Sequence, residues 1–256
     1  MIYLSFDIEE FDMPKEYGYN IDFERQIAIS REGLTIILDL LKAYNAKATF
    51  FSTIIFAREC DDLIKRLLEE GHELASHTYY HSEFENAHLK ASKLYLEQHF
   101  STEVKGLRMP RMAEVDTMEV KNAGYTYNSS VNPTILPGRY NKLHISKHFF
   151  NEKGLWQIPT AVSWLRIPLF WLSFHNFPLW LYHFLLKQTL KDTGYAALYF
   201  HPWEFTDLHV KEFNFPGYVM RNSGKKMTKR FEKFLKYINK KGWQTALYKD
   251  LVANHS

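Results

Sequence analysis

The sequence predicts an α/β fold built on a parallel sheet, and three observations lead to that prediction. Short apolar runs alternate along the chain with longer segments whose apolar residues recur at helical spacing. The 256 residues, 46% of them hydrophobic, suit one large domain over residues 1–256, or at most two small ones. No internal repeat or Pro/Gly/Ser-rich linker divides the chain. This alternation is typical of parallel sheets and does not distinguish a barrel from an open sheet, but in both the chemistry lies at the carboxyl ends of the strands.

The elements follow one another in a regular order. The predicted strands are IYLSF, KATFFST, ELASH, VKGLRMP, YTYNSSV, LWQIPTAVSW, YAALYFH and WQTALY. The predicted helices are REGLTIILDLLKAYN, CDDLIKRLLEEGH, SKLYLEQHF, EVDTMEVKNAGY and KKMTKRFEKFLKYINKKG. In the first helix the apolar residues recur three and four positions apart, at Leu34, Ile37, Leu38 and Leu41. Gly71 marks the end of the second helix.

Composition and charge exclude several classes of protein. The net charge is +3 and the sequence pI is about 8.7, which is only mildly basic. With no recognised nucleic-acid motif, we expect no nucleic-acid partner. The single cysteine, Cys60, excludes an intrachain disulfide. No basic and apolar leader precedes the first strand, so we expect a cytoplasmic protein.

The first strand ends in a cluster of acids. The apolar run MIYLSF leads into Asp7, Glu9 and Glu10, whose like charges repel and are costly to desolvate. A cation at the strand end would resolve this conflict. Asp7 and Glu9 face the same side of a continuing strand, which favours Glu9 over Glu10 as a metal ligand. We expect Glu10 to be a solvated surface charge and Asp12 to be a loop or turn residue.

Titratable residues also follow three other strands. His77 and His81 come after ELAS, Arg108 after VKGL, and His201 after YAALYF. On a helical turn, H-x-x-x-H spacing puts both imidazoles on one face. Two histidines and one carboxylate form a three-ligand site with open positions, which is the design of a catalytic metal centre. These ligands suit Zn²⁺ best, and also Co, Ni or Fe.

These motifs together resemble the polysaccharide deacetylase superfamily, the NodB-homology group of carbohydrate esterases. The matching stretches come in the family's order and span residues 3 to 204: SFDIEE, KATFF, GHELASHTYYH, GLRMPR and LYFHPWE. The resemblance implies a distorted (β/α) barrel of seven strands and a metal-dependent hydrolysis of an amide or ester. It implies that Asp7 is the general base and that Arg108 orients it. It also implies a metal held by Glu9, His77 and His81, and His201 as the general acid.

The chain departs from the family pattern in two places. Family members often carry an aspartate that tunes the catalytic histidine, but GYTYNSSVNP contains no acid. Asn128 could orient the imidazole without stabilising its charge, and Glu204 is another candidate partner. Arg111 stands where an aromatic residue is common, and is either a contact for an anionic substrate group or a surface arginine. Pro110 and Trp203, from the R-x-P and late histidine motifs, complete the candidates for substrate contact.

The most apolar segment, residues 164–186, has three interpretations. It is long enough to approach a membrane span, but two prolines and several polar residues interrupt it. It could be barrel core with a packed helix, a cover of the active site or a dimer surface, or a segment that dips into a membrane interface. The last predicted helix carries an apolar face and eight basic residues, Lys225, Lys226, Lys229, Arg230, Lys233, Lys236, Lys240 and Lys241. A solvated face is the usual explanation, and contact with an anionic leaflet is the second.

The expected reaction is deacetylation of an acetylated saccharide, with an N-acetyl amino sugar as the leading substrate, in cell-surface polysaccharide biosynthesis. The basic and aromatic composition suggests a lipid-linked sugar at the inner membrane surface, reached by a peripheral contact. Two alternatives are an allantoinase-like cyclic amidohydrolase and a sugar- or lipid-binding barrel without turnover. The complete set of catalytic residues argues against the second.

Overall fold

A computed structural model of the chain describes residues 1–136 and 140–255. The strands are β1 Ile2–Ile8, β2 Ala48–Ser52, β3 Glu73–Ser76, β4 Gly106–Leu107, β5 Tyr127–Asn128, β6 Ile135–Leu136, β7 Tyr140–Asn141, β8 Phe150–Glu152, β9 Leu155–Gln157 and β10 Ala196–Phe200. The helices are α1 Phe23–Ala43, α2 Ile54–Glu59, α3 Asp61–Glu69, α4 Asn86–Phe100, α5 Thr117–Asn122, α6 Trp171–Asn176, α7 Leu179–Thr193, α8 Gly217–Met220, α9 Lys225–Lys240 and α10 Tyr248–Ala253.

Eight strands form one sheet in the order β10-β1-β2-β3-β4-β5-β9-β8. Every neighbouring pair is parallel except β9 and β8, which are antiparallel. Just beyond β9, the N–H of Ala161 donates to the carbonyl of Ala197 in β10 at 2.8 Å and links the two ends of the curled sheet. The predicted distorted (β/α) barrel is therefore confirmed. The sheet has eight strands where seven were expected: β10, β1, β2, β3, β4, β5 and β9 are parallel, and β8 adds an antiparallel edge.

Side chains alternate along β1 and divide the core into two layers. Leu4 and Phe6 point outward into the large core formed with the apolar faces of α1 and α9. Tyr3 points into the barrel, where it packs in a largely aromatic cluster. This cluster includes Phe51, Tyr127 and Tyr248. Helix α10 supplies Tyr248, which packs in this cluster.

Helix α1 lies against the turn that follows β10. A Cβ added at Gly33 of α1 would stand 1.9 Å from the carbonyl oxygen of Pro202. No side chain fits at that distance, so the close approach requires glycine. The contact supports the 3-10 turn Pro202–Phe205, which directly follows His201.

Two local predictions are wrong. WQTALY is not a strand: Thr245 makes an isolated bridge to Ile2, and the helix α10 follows because Tyr248 and Leu251 are buried at helical spacing. His77 and His81 lie on an irregular loop and not on a helical turn.

The segment 164–186 combines a buried face with an exposed one. Tyr182 and Leu186 of α7 are buried in the main core, so the interpretation as core with a packed helix holds for this face. In contrast, Trp164 is 60% exposed and Trp180 is 72% exposed. Across residues 1–136 and 140–255, each helix is too short or too polar to cross a membrane.

Candidate functional site

Four parallel strands bring the predicted site residues to one end of the barrel. Asp7 is the penultimate residue of β1, and His77, Arg108 and His201 directly follow β3, β4 and β10. Because parallel strands end at the same edge, side chains far apart in sequence meet there. A cavity of about 460 Å³ opens at this end, and its walls include Asp7, Glu9, His77, His81 and His201.

Glu9, His77 and His81 form a compact group of ligand atoms. The Oε2 atom of Glu9 lies 3.0 Å from Nε2 of His77 and 3.1 Å from Nε2 of His81. One ligand atom from each of the three residues lies within 4.8 Å of the others. This oxygen of Glu9 is buried and has no hydrogen-bond partner among the described residues.

The outer nitrogens of both histidines already have acceptors. Nδ1 of His77 lies 2.7 Å from the carbonyl oxygen of Arg108, and Nδ1 of His81 lies 2.7 Å from Oδ1 of Asp12. An imidazole that donates from Nδ1 and is neutral has its lone pair on Nε2. Two such lone pairs and a carboxylate oxygen therefore converge with no proton between them. This arrangement fits a divalent cation whose histidine ligands are oriented by acceptors behind each ring.

Glu9 is an anion at any physiological pH. Burial by itself would raise its pKa, but the neighbouring imidazoles of His81, His77 and His201 lower it to about 2. A carboxylate with such a low pKa stays ionised and is well suited to hold a cation.

Glu10 differs from its predicted surface role, whereas Asp12 lies in a loop as predicted. Glu10 is buried, accepts a hydrogen bond from Thr53 Oγ1 at 2.7 Å, and accepts the backbone N–H of His81 at 2.9 Å. Asp12 is also buried and accepts from His81. Both carboxylates thus fix the position of His81. The only sign of this role in the sequence is the presence of four acids within residues 7–12.

Because Asp12 orients His81, we expect Asp12→Ala to weaken Zn²⁺ binding by about 10- to 100-fold. Competition with a fluorescent chelator measures this affinity. Asp207→Ala is the matched control, since Asp207 makes the same contact with Nδ1 of His209 at 2.9 Å on the exposed surface. Equal Zn²⁺ affinities in the two variants would contradict the role of Asp12.

Arg108 is fully buried and binds Asp7. Its Nη1 atom donates to Oδ1 of Asp7 at 2.6 Å and to Ser5 at 2.9 Å, and Nε donates to the carbonyl of Ser129 at 3.0 Å. The guanidinium also stacks over the ring of Phe51 at 4.1 Å. These contacts fix the side chain of Arg108 in one conformation, and Arg108 therefore holds the Asp7 carboxylate in place.

His201 lies between Asp7 and Glu204. Its Nε2 is 3.9 Å from Oδ2 of Asp7, and its Nδ1 is 3.0 Å from Oε1 of Glu204. Trp203 stacks on the imidazole, with the ring centres 4.7 Å apart. Burial alone would lower the pKa of His201, but its hydrogen bond to Glu204 and the nearby carboxylates raise it.

The four predicted substrate contacts have different surroundings. Asn128 does not orient His201, because its amide donates to Gln157 and its carbonyl accepts from Ser130; Glu204 takes that position. Pro110 is buried and begins the 3-10 turn Pro110–Met112, whose other two residues border the cavity. Trp203 also borders it.

Arg111 borders the cavity but is already paired. It donates to Asp12 at 3.1 Å and to Glu16 at 2.7 Å. Its backbone has φ 53°, a strained value for a residue with a side chain. The guanidinium is thus an exposed group at the cavity mouth whose charge is shared with two carboxylates.

Comparison with known proteins supports the family resemblance. A family model described as polysaccharide deacetylase matches residues 1–128, half of the 256-residue chain. A peptidoglycan-N-acetylglucosamine deacetylase of Bacillus cereus is 47% identical over 45 residues, which are 18% of this chain and 16% of that protein. A peptidoglycan-N-acetylmuramic acid deacetylase of Bacillus subtilis is 40% identical over 45 residues, 18% of this chain and 17% of that protein. The chain thus matches about a sixth of the length of either relative.

Solved structures resemble the whole chain at low sequence identity. A protein of Pseudomonas aeruginosa PAO1, described as a probable polysaccharide deacetylase, has a TM-score of 0.68 at 13% identity, covering 98% of this chain and 89% of that one. The allantoinase PuuE has a TM-score of 0.65 at 14% identity, covering 98% and 88%. A family 4 carbohydrate esterase pseudoenzyme of Bacillus anthracis has a TM-score of 0.52 at 14% identity, covering 98% and 65%. These similarities establish the fold, and the fold alone does not choose between deacetylase, cyclic amidohydrolase and pseudoenzyme.

Proposed function

The chain belongs to the polysaccharide deacetylase family, and from this premise we propose that residues 1–256 form a single catalytic domain that hydrolyses the acetyl group of an acetylated saccharide with a divalent metal. The observation that carries the proposal is the convergence of Glu9, His77 and His81 beside Asp7 and His201. Zn²⁺ is the leading metal, and Co, Ni or Fe would also suit two imidazoles and a carboxylate. A bound divalent cation would supply Lewis acidity toward the acyl oxygen and lower the pKa of a water.

The residues of the chain account for the proton transfers. In the proposed reaction Asp7 takes a proton from the attacking water as its oxygen bonds to the acyl carbon. His201 then gives a proton from Nε2 to the leaving nitrogen as the carbon–nitrogen bond breaks, so that acetate and a free amine are formed. Arg108 holds Asp7 through the 2.6 Å contact, and Glu204 stabilises the cationic form of His201.

The cavity walls favour a sugar ring. Aromatic side chains form much of the surface around the ligand group, namely Tyr17, Phe170, Trp171, Tyr199, Trp203 and Tyr218. Apolar and aromatic walls with a few convergent polar groups are typical of small-molecule sites. An N-acetyl amino sugar is the leading substrate because a protonated His201 suits an amine, which is a poor leaving group. Its place would be in cell-surface polysaccharide biosynthesis.

Acetate release tests the function. With Zn²⁺ present, we expect the protein to release acetate from N-acetylglucosamine oligosaccharides or lipid-linked N-acetyl sugars, and Asp7→Asn to lower kcat by about 100-fold or more. Asp207→Asn, at an exposed acid that does not line the cavity, serves as the control. Hydrolysis of allantoin without acetate release would indicate the cyclic amidohydrolase instead. Tight sugar binding with no turnover would indicate a binding protein.

We further propose that the substrate is lipid-linked and that the protein reaches it from the cytoplasm by a peripheral contact with an anionic inner leaflet. Trp180 and Phe184 of α7 are 72% and 51% exposed. Lys187 and Lys191 are exposed on the same stripe of the helix, at positions i, i+4, i+7 and i+11. Aromatic residues beside lysines suit the interface of an anionic membrane, where each lysine contributes about 1 kcal/mol.

Flotation with vesicles tests this contact. We expect the protein to float with phosphatidylglycerol vesicles and much less with phosphatidylcholine vesicles. Trp180→Ser/Phe184→Ser should remain in the unbound fraction, whereas Leu94→Ser, a change at another exposed apolar residue on a different helix, should float like the parent. A parent protein that never floats would reject the membrane contact but not the deacetylase function.

A further inference from the structure

His175 is a buried histidine for which the proposed reaction has no role. It lies on α6, within the apolar segment, and is 0% exposed. Its Nε2 atom is 2.9 Å from Oε2 of Glu204. The other oxygen of that carboxylate, Oε1, accepts from the backbone N–H of His201 at 2.5 Å and lies 3.0 Å from its Nδ1. One fully buried carboxylate thus joins two histidines.

The hydrogen bonds determine which nitrogens carry protons. An ionised carboxylate only accepts, so Nε2 of His175 and Nδ1 of His201 must both donate to Glu204. Nδ1 of His175 is buried and has no hydrogen-bond partner among the described residues, which suits a neutral imidazole protonated on Nε2. The arrangement leaves Nε2 of His201 pointing toward Asp7 and the cavity.

Glu204 needs the second donor. A buried carboxylate with an unpaired oxygen is costly, because nothing replaces the lost water. Burial alone would raise the pKa of Glu204, but hydrogen bonds from His175 and His201 lower it. Without His175, the carboxylate could satisfy Oε2 only by taking up a proton or by rotating away from His201.

Helix α6 is anchored in a way that fixes His175. Asn222 donates to the carbonyl of His175 at 2.6 Å, and Arg230 of α9 donates to the carbonyl of Phe174 at 2.7 Å. One turn before His175, Trp171 packs edge-on against both His175 and His201, at 5.7 and 5.8 Å. Helix α6 thereby presents the ring of Trp171 to His201 and the N–H donor of His175 to Glu204.

We propose that His175 is a positioning residue that, through Glu204, holds His201 in the tautomer and orientation that present Nε2 to the substrate. Its catalytic consequence rests on the proposed function, whereas the hydrogen-bonded arrangement does not. The proposal assigns a role in the active site to the inner face of the apolar segment.

Nitrogen-15 NMR of the histidine side chains in the Zn²⁺-loaded protein tests the arrangement without any substrate. We expect neutral His175 to be the Nε2–H tautomer and neutral His201 to be the Nδ1–H tautomer. A His175 protonated on Nδ1 alone would overturn the proposal with no variant needed. If the protein shows the expected tautomers but releases no acetate, the proposed function is rejected and the hydrogen-bonded arrangement of His175, Glu204 and His201 is retained.

Two variants test the consequence for the reaction. His175→Phe preserves ring volume and removes the donor, and we expect kcat to fall by about 10- to 100-fold with KM unchanged within about twofold. His175→Gln keeps an N–H at a similar reach and should recover most of kcat and the Nδ1–H tautomer of His201. A His175→Phe protein with parental kcat and an unchanged His201 tautomer would overturn the proposal, as would equal losses in both variants. If His175→Phe does not fold, the tautomers of the parent protein decide.

Discussion

The double substitution His77→Ala/His81→Ala is expected to remove the metal and nearly all activity. The purified parent protein should contain close to one Zn²⁺ per chain by mass spectrometry, and the variant almost none. Losing two of three ligands leaves only Glu9, and one carboxylate does not retain the ion. Because a catalytic metal typically contributes several kcal/mol to transition-state stabilisation, acetate release should fall by about 10³-fold or more.

The chain offers a matched control for this variant. His144 and His148 have the same H-x-x-x-H spacing and are both exposed, so His144→Ala/His148→Ala should keep the metal and the activity. The far-ultraviolet spectrum should be unchanged in both variants. Parent protein that remains free of metal after reloading with Zn²⁺ would reject the metal centre and favour a metal-independent amidohydrolase or a binding protein.

Arg108→Met is expected to have the largest effect on stability. The substitution keeps a long side chain but removes the charge opposite Asp7, a pair with 0% and 5% of the two side chains exposed. Removing one partner of a buried ion pair costs about 3–5 kcal/mol, because the remaining charge has neither water nor a counter-ion. Urea unfolding monitored by tryptophan fluorescence measures the free energy of unfolding.

A double-mutant cycle identifies the cause of that loss. Asp7→Asn/Arg108→Met removes both charges, so it should be more stable than Arg108→Met alone although it is inactive. Arg31→Met is the control, since its pair with Asp62 is 42% and 61% exposed and should contribute about 1 kcal/mol or less. If the double variant is no more stable than Arg108→Met, the arginine stabilises the barrel by packing and not by its charge.

The sequence by itself determined the fold class and the main members of the site. Repeated strand–helix alternation predicted a parallel sheet, because the two periodicities are local properties of the chain, and the family resemblance implied that the sheet is a barrel. Parallel strands end at one edge, so the positions of Asp7, His77, Arg108 and His201 after their strands were enough to place them together. The alternation of side chains along β1 likewise put Asp7 and Glu9 on the same side.

Only the tertiary structure decided how these residues are held. Glu204 was one of two candidates to support His201, and the fold selected it because the 3-10 turn after β10 brings the carboxylate back onto the ring. The contacts of Asp12 with His81 and of His175 with Glu204 join residues 69 and 29 positions apart. Hydrophobic period and turn signals encode the type of each element, but not the angle at which a loop or short helix returns to the site. Burial then determines whether a charge is solvated or paired, and burial is a property of the whole packed chain.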